Sequence, residues 1–370
     1  MSTGAVSTGA VNTGVMSTGV MNTELSEEAV EFGRTALRAF EAAGGDQLVQ
    51  DAEREPARRA ELVEPVLDEL GAWELDPRGG ADELEAAAAL CKAAGWWALP
   101  YPVAERLCRP TDGPGSGGST DGLVVIAGSE PGPRTGPGPA APVAGLGPRW
   151  STVALDGRRG LATAAEPVGS PRYTAFVTEL IPDPTSAPDL PAGPAADGPA
   201  DGLADLALGL VLPCWTLLGM LDRAMELARA HVLAREQFGQ PLARFQGVQF
   251  QLTDAEVERV GVEELAKYAL WAVATGRPEA VDDALALRLA ALEAADLVFR
   301  VTHQLHGAMG FCDETTLSWI SRYSQPLRRL PLGQAATRDH LTRRIGRIGL
   351  AGPFATQAVS SVAQFEGQQR

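Results

Sequence analysis

The sequence predicts a mainly α protein with a small β domain, in the order N-terminal helical domain, reduced middle β domain, C-terminal four-helix bundle. Three observations predict it. Apolar residues recur near a 3.6-residue period through much of residues 24–109 and 203–348. That period disappears over residues 110–202, where Gly, Pro and Ser dominate and short alternating runs appear. The long C-terminal helical patterns are separated by Gly- and Pro-containing turns, which favours antiparallel packing.

Residues 1–23 form a degenerate five-residue repeat, Ser2-Thr3-Gly4-Ala5-Val6 and its variants. It is small, polar and Gly-rich and cannot bury a core, so a disordered leader is expected. Ser26-Glu27-Glu28 reads as a helix start, a capping Ser followed by first-turn acids. Phe32, Leu37 and Phe40 supply the buried face, and Gly44-Gly45 stops it. Further helices are expected from about Pro56 to Leu70 and from Asp82 to about Ala94. In the middle domain, Leu123–Ile126, Ser151–Leu155 and Tyr173–Val177 read as strands, with Asp156-Gly157 as a hairpin turn. The bundle helices are expected over Leu203–Arg235, with Pro213 as a kink, then Phe245–Thr275 and Glu279–His306. Shorter ones follow at Glu314–Tyr323 and Gln334–Gly346, separated by Pro326 and Pro331. Residues 349–370 read as a fraying tail.

The chain has 370 residues, 45% of them hydrophobic, and a formal net charge of −16. Such acidity argues against a nucleic-acid binder, which needs a basic face. No run of 18 apolar residues is free of charge or Pro, so no membrane span is expected. Cys91, Cys108, Cys214 and Cys312 show no CxxC and no metal spacing. They read as reduced thiols in a cytoplasmic protein. The run Arg322, Arg328, Arg329, Arg338, Arg343, Arg344 and Arg347 stands out. It reads equally as an attractor of phosphates or an acidic partner, and as ordinary helix-surface charge.

The stretch Ala234–Gln246 joins two long helices. Arg235 offers a planar fork suited to phosphate or carboxylate. Gln237 and Gln246 can read a polar heterocycle, and Phe238 and Phe245 can pack on one. This stretch resembles the Arg-x-x-Phe-Gly…Phe-Gln signature of the flavin-dependent acyl-CoA dehydrogenases. Gln304-Leu305-His306-Gly307-Ala308-Met309-Gly310-Phe311, followed by Glu314, resembles that family's Gln-x-x-Gly-Gly-x-Gly segment. The resemblance implies FAD as cofactor. It carries the family's contacts to the pyrophosphate and adenine half of FAD onto Arg235, Gln237, Phe238, Phe245, Gln246, Gln304, His306, Gly307 and Ala308.

The family reaction removes a proton alpha to a thioester while a hydride leaves the beta carbon for the flavin, which requires a carboxylate base. Two positions are implied for it. Counting forward from Gln304 reaches Leu330-Pro331-Leu332-Gly333, which holds no acid. Counting back from Arg235 reaches Gly209, with Asp205 the nearest acid, one turn away. Asp205 reads either as a shifted base or as a first-turn acid. Asp222 and Glu226 read as the solvated side of that helix. The family's flavin-ring segment in the barrel has only a poor counterpart, Ala165–Ser170, better read as a loop. Motifs that cross a subunit interface are kept, and the base and barrel motifs are lost. That pattern resembles one chain of a heterotetrameric α2β2 acyl-CoA dehydrogenase of the bacterial steroid type. The implied partners are a homologous dehydrogenase subunit, an acyl-CoA substrate, bulky and of steroid type, and electron-transfer flavoprotein. Two rivals stand beside it: a self-sufficient homo-oligomer using Asp205, and a non-redox binding protein reusing the fold.

Overall fold

The computed structural model describes residues 21–110, 120–128, 140–141, 147–165, 178–183 and 200–349. The leader to residue 20, the strand expected at Tyr173–Val177, residues 166–170 and the tail beyond 349 lie outside the described residues.

The N-terminal domain is helical. In α1 (Glu27–Ala42) the Ser26 hydroxyl accepts from the Ala29 N–H at 3.3 Å, so the expected cap forms. Then come α2 (Asp46–Arg54), α3 (Arg59–Glu69), α4 (Ala81–Trp96) and α5 (Val103–Leu107). The sequence reading missed α2 and α5, which span nine and five residues, too short to display a period.

The β domain comprises β1 (Leu123–Ile126), β2 (Ala140–Ala141), β3 (Arg149–Ala154), β4 (Arg159–Ala164) and β5 (Thr178–Pro182), in the order β1-β3-β4-β5-β2. β1 runs parallel to β3, and the β3–β4, β4–β5 and β5–β2 pairings are antiparallel. Asp156-Gly157 makes the expected β3–β4 turn, with Gly157 at φ +81°. β4 was not expected. It begins Arg-Gly and has only Leu161 as a large apolar residue, so it shows no clear alternation in the sequence.

The bundle begins with α6 (Ala200–Ala234), 35 residues without interruption. Pro213 was expected to kink it and does not end it. The helix around it is locked in the core, with Leu210, Val211, Leu212, Cys214 and Trp215 all at most 2% exposed. By length and composition α6 would cross a bilayer, but 78% of its most apolar window is buried inside the protein, the position of a core helix. A small hairpin, β6 (Glu236–Gln237) and β7 (Gln240–Pro241), leads into α7 (Gln246–Ala274), α8 (Ala280–His306), α9 (Thr316–Arg329) and α10 (Gln334–Ile348). Pro326 was expected to separate the last two helices. It lies instead inside α9, and the break falls at residues 330–333.

α6 organises the molecule, packing on α4 at one side and on α7, α8 and α9 at others. The α4–α6 crossing is backbone-close. A Cβ added at Gly219 would lie 2.0 Å from the Lys92 carbonyl oxygen, and one at Gly95 would lie 1.9 Å from that of Thr216. Lys92 of α4 pairs with Asp222 of α6 at 3.1 Å and Glu263 of α7 at 2.6 Å, and Arg259 of α7 reaches Asp222 at 2.8 Å. Asp222 is therefore not on a solvated face. Burial pushes its carboxyl pKa up, opposed by Lys92 and Arg259. Glu226 is exposed, as expected.

Candidate functional site: a cleft at the end of the bundle and a small cavity at its middle

The Ala234–Gln246 join is a β-hairpin rather than a plain turn between helices. β6 and β7 are connected through Phe238 at φ +53° and Gly239 at φ +78°. Two successive positive φ values give the two-residue turn whose twist suits a hairpin. A Phe in that conformation is strained. Its ring is 92% exposed and meets Phe245 edge-on, centroids 6.2 Å apart.

The hairpin and the end of α8 enclose a cleft of about 510 Å³. Six of the nine residues read as cofactor contacts line it: Arg235, Gln237, Gln304, His306, Gly307 and Ala308. Residues some 70 apart in sequence are thus brought to one wall. Phe238, Phe245 and Gln246 are not in that wall. Phe245 and Gln246 start α7, and Phe238 stands at the lip facing solvent.

Sequence reasoning missed His231 and Gln251, which also line the cleft. His231 lies one helical turn before Arg235, and that spacing was the available signal. Its ring stacks on that of His306, centroids 4.5 Å apart. His306 is buried, and its Nδ1 lies 2.8 Å from the Thr302 carbonyl oxygen, which fixes the ring. Burial lowers the His231 pKa, and the neighbouring His306 and Arg235 lower it further. His231 therefore adds little charge at neutral pH, and Arg235 is the fixed cation of the cleft. Its guanidinium has no ion pair among the described residues. Gly307, at φ +62°, closes α8 and leaves the wall without a side chain.

The two positions implied for a base are far apart in the chain, yet they line one cavity. Gly209, Leu330 and Pro331 share it with Glu105 and Arg288, and its volume is about 30 Å³, room for a single water. A Cβ at Gly209 would lie 2.8 Å from Val125 Cγ2. β1 therefore fills the space that a longer side chain at that position needs. Arg288 of α8 is buried and donates to the Leu330 and Leu332 carbonyl oxygens at 2.5 and 2.8 Å. Glu105, unremarked in the sequence, is buried, and desolvation raises its pKa to about 7.

Asp205 does not open onto this cavity. It is fully buried, paired with Arg78 at 2.6 Å and Arg159 at 2.7 Å. Read as a shifted base, it is corrected here. Its carboxylate ties the N-terminal and β domains to α6 and points at two guanidinium groups, not at a ligand space. The basic run is likewise resolved in part: Arg328 pairs with Asp296, Arg338 with Glu293 and Arg344 with Asp282, all acids of α8. These three fasten α9 and α10 to the bundle and are not free to attract phosphate. Cys91, Cys108 and Cys214 are buried and Cys312 is exposed, all as free thiols.

Comparison with known proteins agrees with this geometry. Residues 204–335 match the family described as acyl-CoA dehydrogenase, C-terminal domain. A 3-sulfinopropanoyl-CoA desulfinase of Paraburkholderia xenovorans is 36% identical over 107 residues, 28% of this chain and 26% of that protein. The match thus spans about a quarter of the relative's length. Over most of the chain the likeness is one of fold. The ChsE4–ChsE5 complex of Mycobacterium tuberculosis superposes with a TM-score of 0.68 at 18% identity, covering 88% of this chain and 99% of the other. A steroid acyl-CoA dehydrogenase, Tcur3481–Tcur3483, gives 0.65 at 20% identity, covering 87% and 98%. The helices α6 to α9, which line the cleft and part of the cavity, thus match the acyl-CoA dehydrogenase C-terminal domain family, in a chain that has the acyl-CoA dehydrogenase fold.

Proposed function

We propose that this chain is the non-catalytic subunit of a heteromeric, FAD-dependent acyl-CoA dehydrogenase, contributing its Arg235 cleft to a flavin held mostly by a homologous subunit. One observation carries the reading. The cleft is open and its cation unpaired, whereas both positions for a base converge on a cavity too small for a thioester and bear no acid. The residues suit the ADP half of FAD. Arg235 matches a pyrophosphate in charge and geometry, Gln237 and Gln304 supply amide donors and acceptors, and Gly307 allows backbone approach. About 510 Å³ is an ordinary ligand-cleft volume. The flavin, when bound, accepts the hydride. This chain's part is to bind and orient the dinucleotide and to cover it from water.

The fold neighbours support the remaining assignments by analogy. The ChsE4–ChsE5 and Tcur3481–Tcur3483 assemblies are each named for two chains, and the latter is a steroid dehydrogenase. By that analogy the assembly is α2β2, the substrate is a steroid-type acyl-CoA, the acceptor is electron-transfer flavoprotein and the compartment is the cytoplasm. The test is to purify the full chain alone and together with an acyl-CoA dehydrogenase homologue from the same organism that carries the catalytic Glu. The lone chain is expected to be colourless and inactive, and the pair yellow and active. Stoichiometric flavin and turnover by the lone chain would overturn the proposal.

A further inference from the structure

His231 lines the cleft but has no part in the flavin contacts assigned so far. The Arg235 N–H donates to the His231 carbonyl oxygen at 2.8 Å, so the last turn of α6 extends to Arg235 and sets both side chains on one face. No Asp or Glu lines the cleft among the described residues, in a chain of net charge −16. The charged or titratable groups that face His231 are Arg235 at the end of its own helix and His306 from α8. The polar side chains that the other elements bring to the cleft, Gln237 of β6, Gln251 of α7 and Gln304 of α8, carry no charge. His303 lies beyond His306, one turn earlier on α8, and lines a neighbouring cavity.

Charge balance gives His231 a role. A pyrophosphate diester carries two negative charges near neutral pH, and Arg235 supplies one positive charge. No Lys and no second Arg lines the cleft, so within this chain the other charge comes from an imidazole. His306 is buried, with its Nδ1 fixed on the Thr302 carbonyl oxygen, and serves as the platform. The His231 ring lies on it with 23° between the planes and is only half-buried, so it can exchange protons with solvent. Two imidazolium rings with centroids 4.5 Å apart repel, so the stacked pair takes a single proton. In the free chain, burial and then His306 and Arg235 hold the His231 pKa below its ordinary value. An anion seated on Arg235 reverses the sign of that neighbouring charge and favours the imidazolium. We infer that His231 is a second anion-binding residue of the cleft, neutral in the free chain and taking one proton from solvent when a pyrophosphate diester binds beside Arg235. The inference rests on the flavin-cleft reading, and adds the residue that completes the charge of the site and the pH dependence that follows. Because binding takes up a proton, affinity rises as pH falls, by up to about tenfold per pH unit.

The experiment uses two probes whose pyrophosphate diester does not titrate near neutral pH. FAD is titrated by fluorescence into the flavin-free complex of the full chain with a dehydrogenase homologue that carries the catalytic Glu. ADP-ribose is titrated by calorimetry into the full chain alone, in two buffers of different ionisation enthalpy, which counts protons. Binding is expected to be about tenfold tighter at pH 6 than at pH 8, with about one proton taken up per site. His231→Phe keeps a flat ring on His306 but cannot take the proton. It is expected to flatten the pH profile and abolish the uptake, and circular dichroism checks that the fold is kept. FAD affinity that is independent of pH in the unaltered complex overturns the inference and leaves the flavin reading standing, whether or not the variant folds. So does a pH profile that His231→Phe retains. ADP-ribose binding with proton uptake by a chain whose complex holds no FAD leaves the role of His231 standing and sinks the flavin reading. Failure of both probes to bind at any pH overturns both.

Discussion

Arg235 sits just past the last turn of α6, immediately before β6 of the hairpin whose turn carries the strained Phe238. Because its guanidinium has no protein counter-charge, replacing it removes ligand affinity without unpairing a neighbour. Arg235→Ala is expected to leave the fold intact and lower flavin occupancy of the complex at least tenfold, with Arg235→Lys in between, since a single ammonium cannot grip a pyrophosphate bidentately. Unchanged flavin absorbance in Arg235→Ala would refute the role. Glu105 gives a second residue-scale prediction. Its folded pKa, about 7, lies above the usual 4.5, so the native state holds the proton more tightly than the unfolded chain. Stability is then fully present below about 4.5 and declines as pH rises toward 7. Glu105→Gln should remove that decline and stabilise the protein by up to about 3 kcal/mol above pH 7. Urea titrations at pH 5 and pH 8 would show it, and equal pH dependence in both proteins would refute it.

At the scale of elements, two joints hold the helical domains and the sheet together. At the α4–α6 crossing the backbones leave no room for a methyl group, so Gly219→Ala must push the helices apart. A loss of about 1–3 kcal/mol, the usual cost of overpacking, is expected in denaturant melts. At the Asp205 joint a buried carboxylate satisfies Arg78 and Arg159 together. Asp205→Asn strands both guanidinium groups near a buried amide and is expected to cost about 3–5 kcal/mol. The same variant separates structure from chemistry. If Asp205 acted as a base, Asp205→Asn would lower turnover at unchanged stability; as a joint, it is expected to lower stability first.

At the scale of the whole molecule, the design is one long apolar helix. Its middle is packed by β1 and the Leu330–Pro331 segment around a small cavity, and its C-terminal end opens into the cleft. The acidic net charge of −16 is distributed unevenly: acids lie along the outer face of α7, whereas the cleft holds Arg235 with no ion pair among the described residues.

The sequence by itself determined the helices with a clear period, the hairpin turn at Asp156-Gly157, and the two motifs whose residues meet in the cleft. These are local properties: periodicity, turn chemistry and residue type act over a few positions. Pro326 misled because a local breaker is tolerated inside a helix when burial holds it there. Only the tertiary structure decided that Gly209 and Leu330–Pro331 face one small cavity, because volume is a property of space between elements. Tertiary packing likewise placed Asp205 between two arginines, turned Asp222 inward, and spent three cations of the basic run on the acids of α8. Periodicity shows that a residue is apolar or charged. It does not show which neighbour neutralises it, and that neighbour decides whether a group is structural or free to bind.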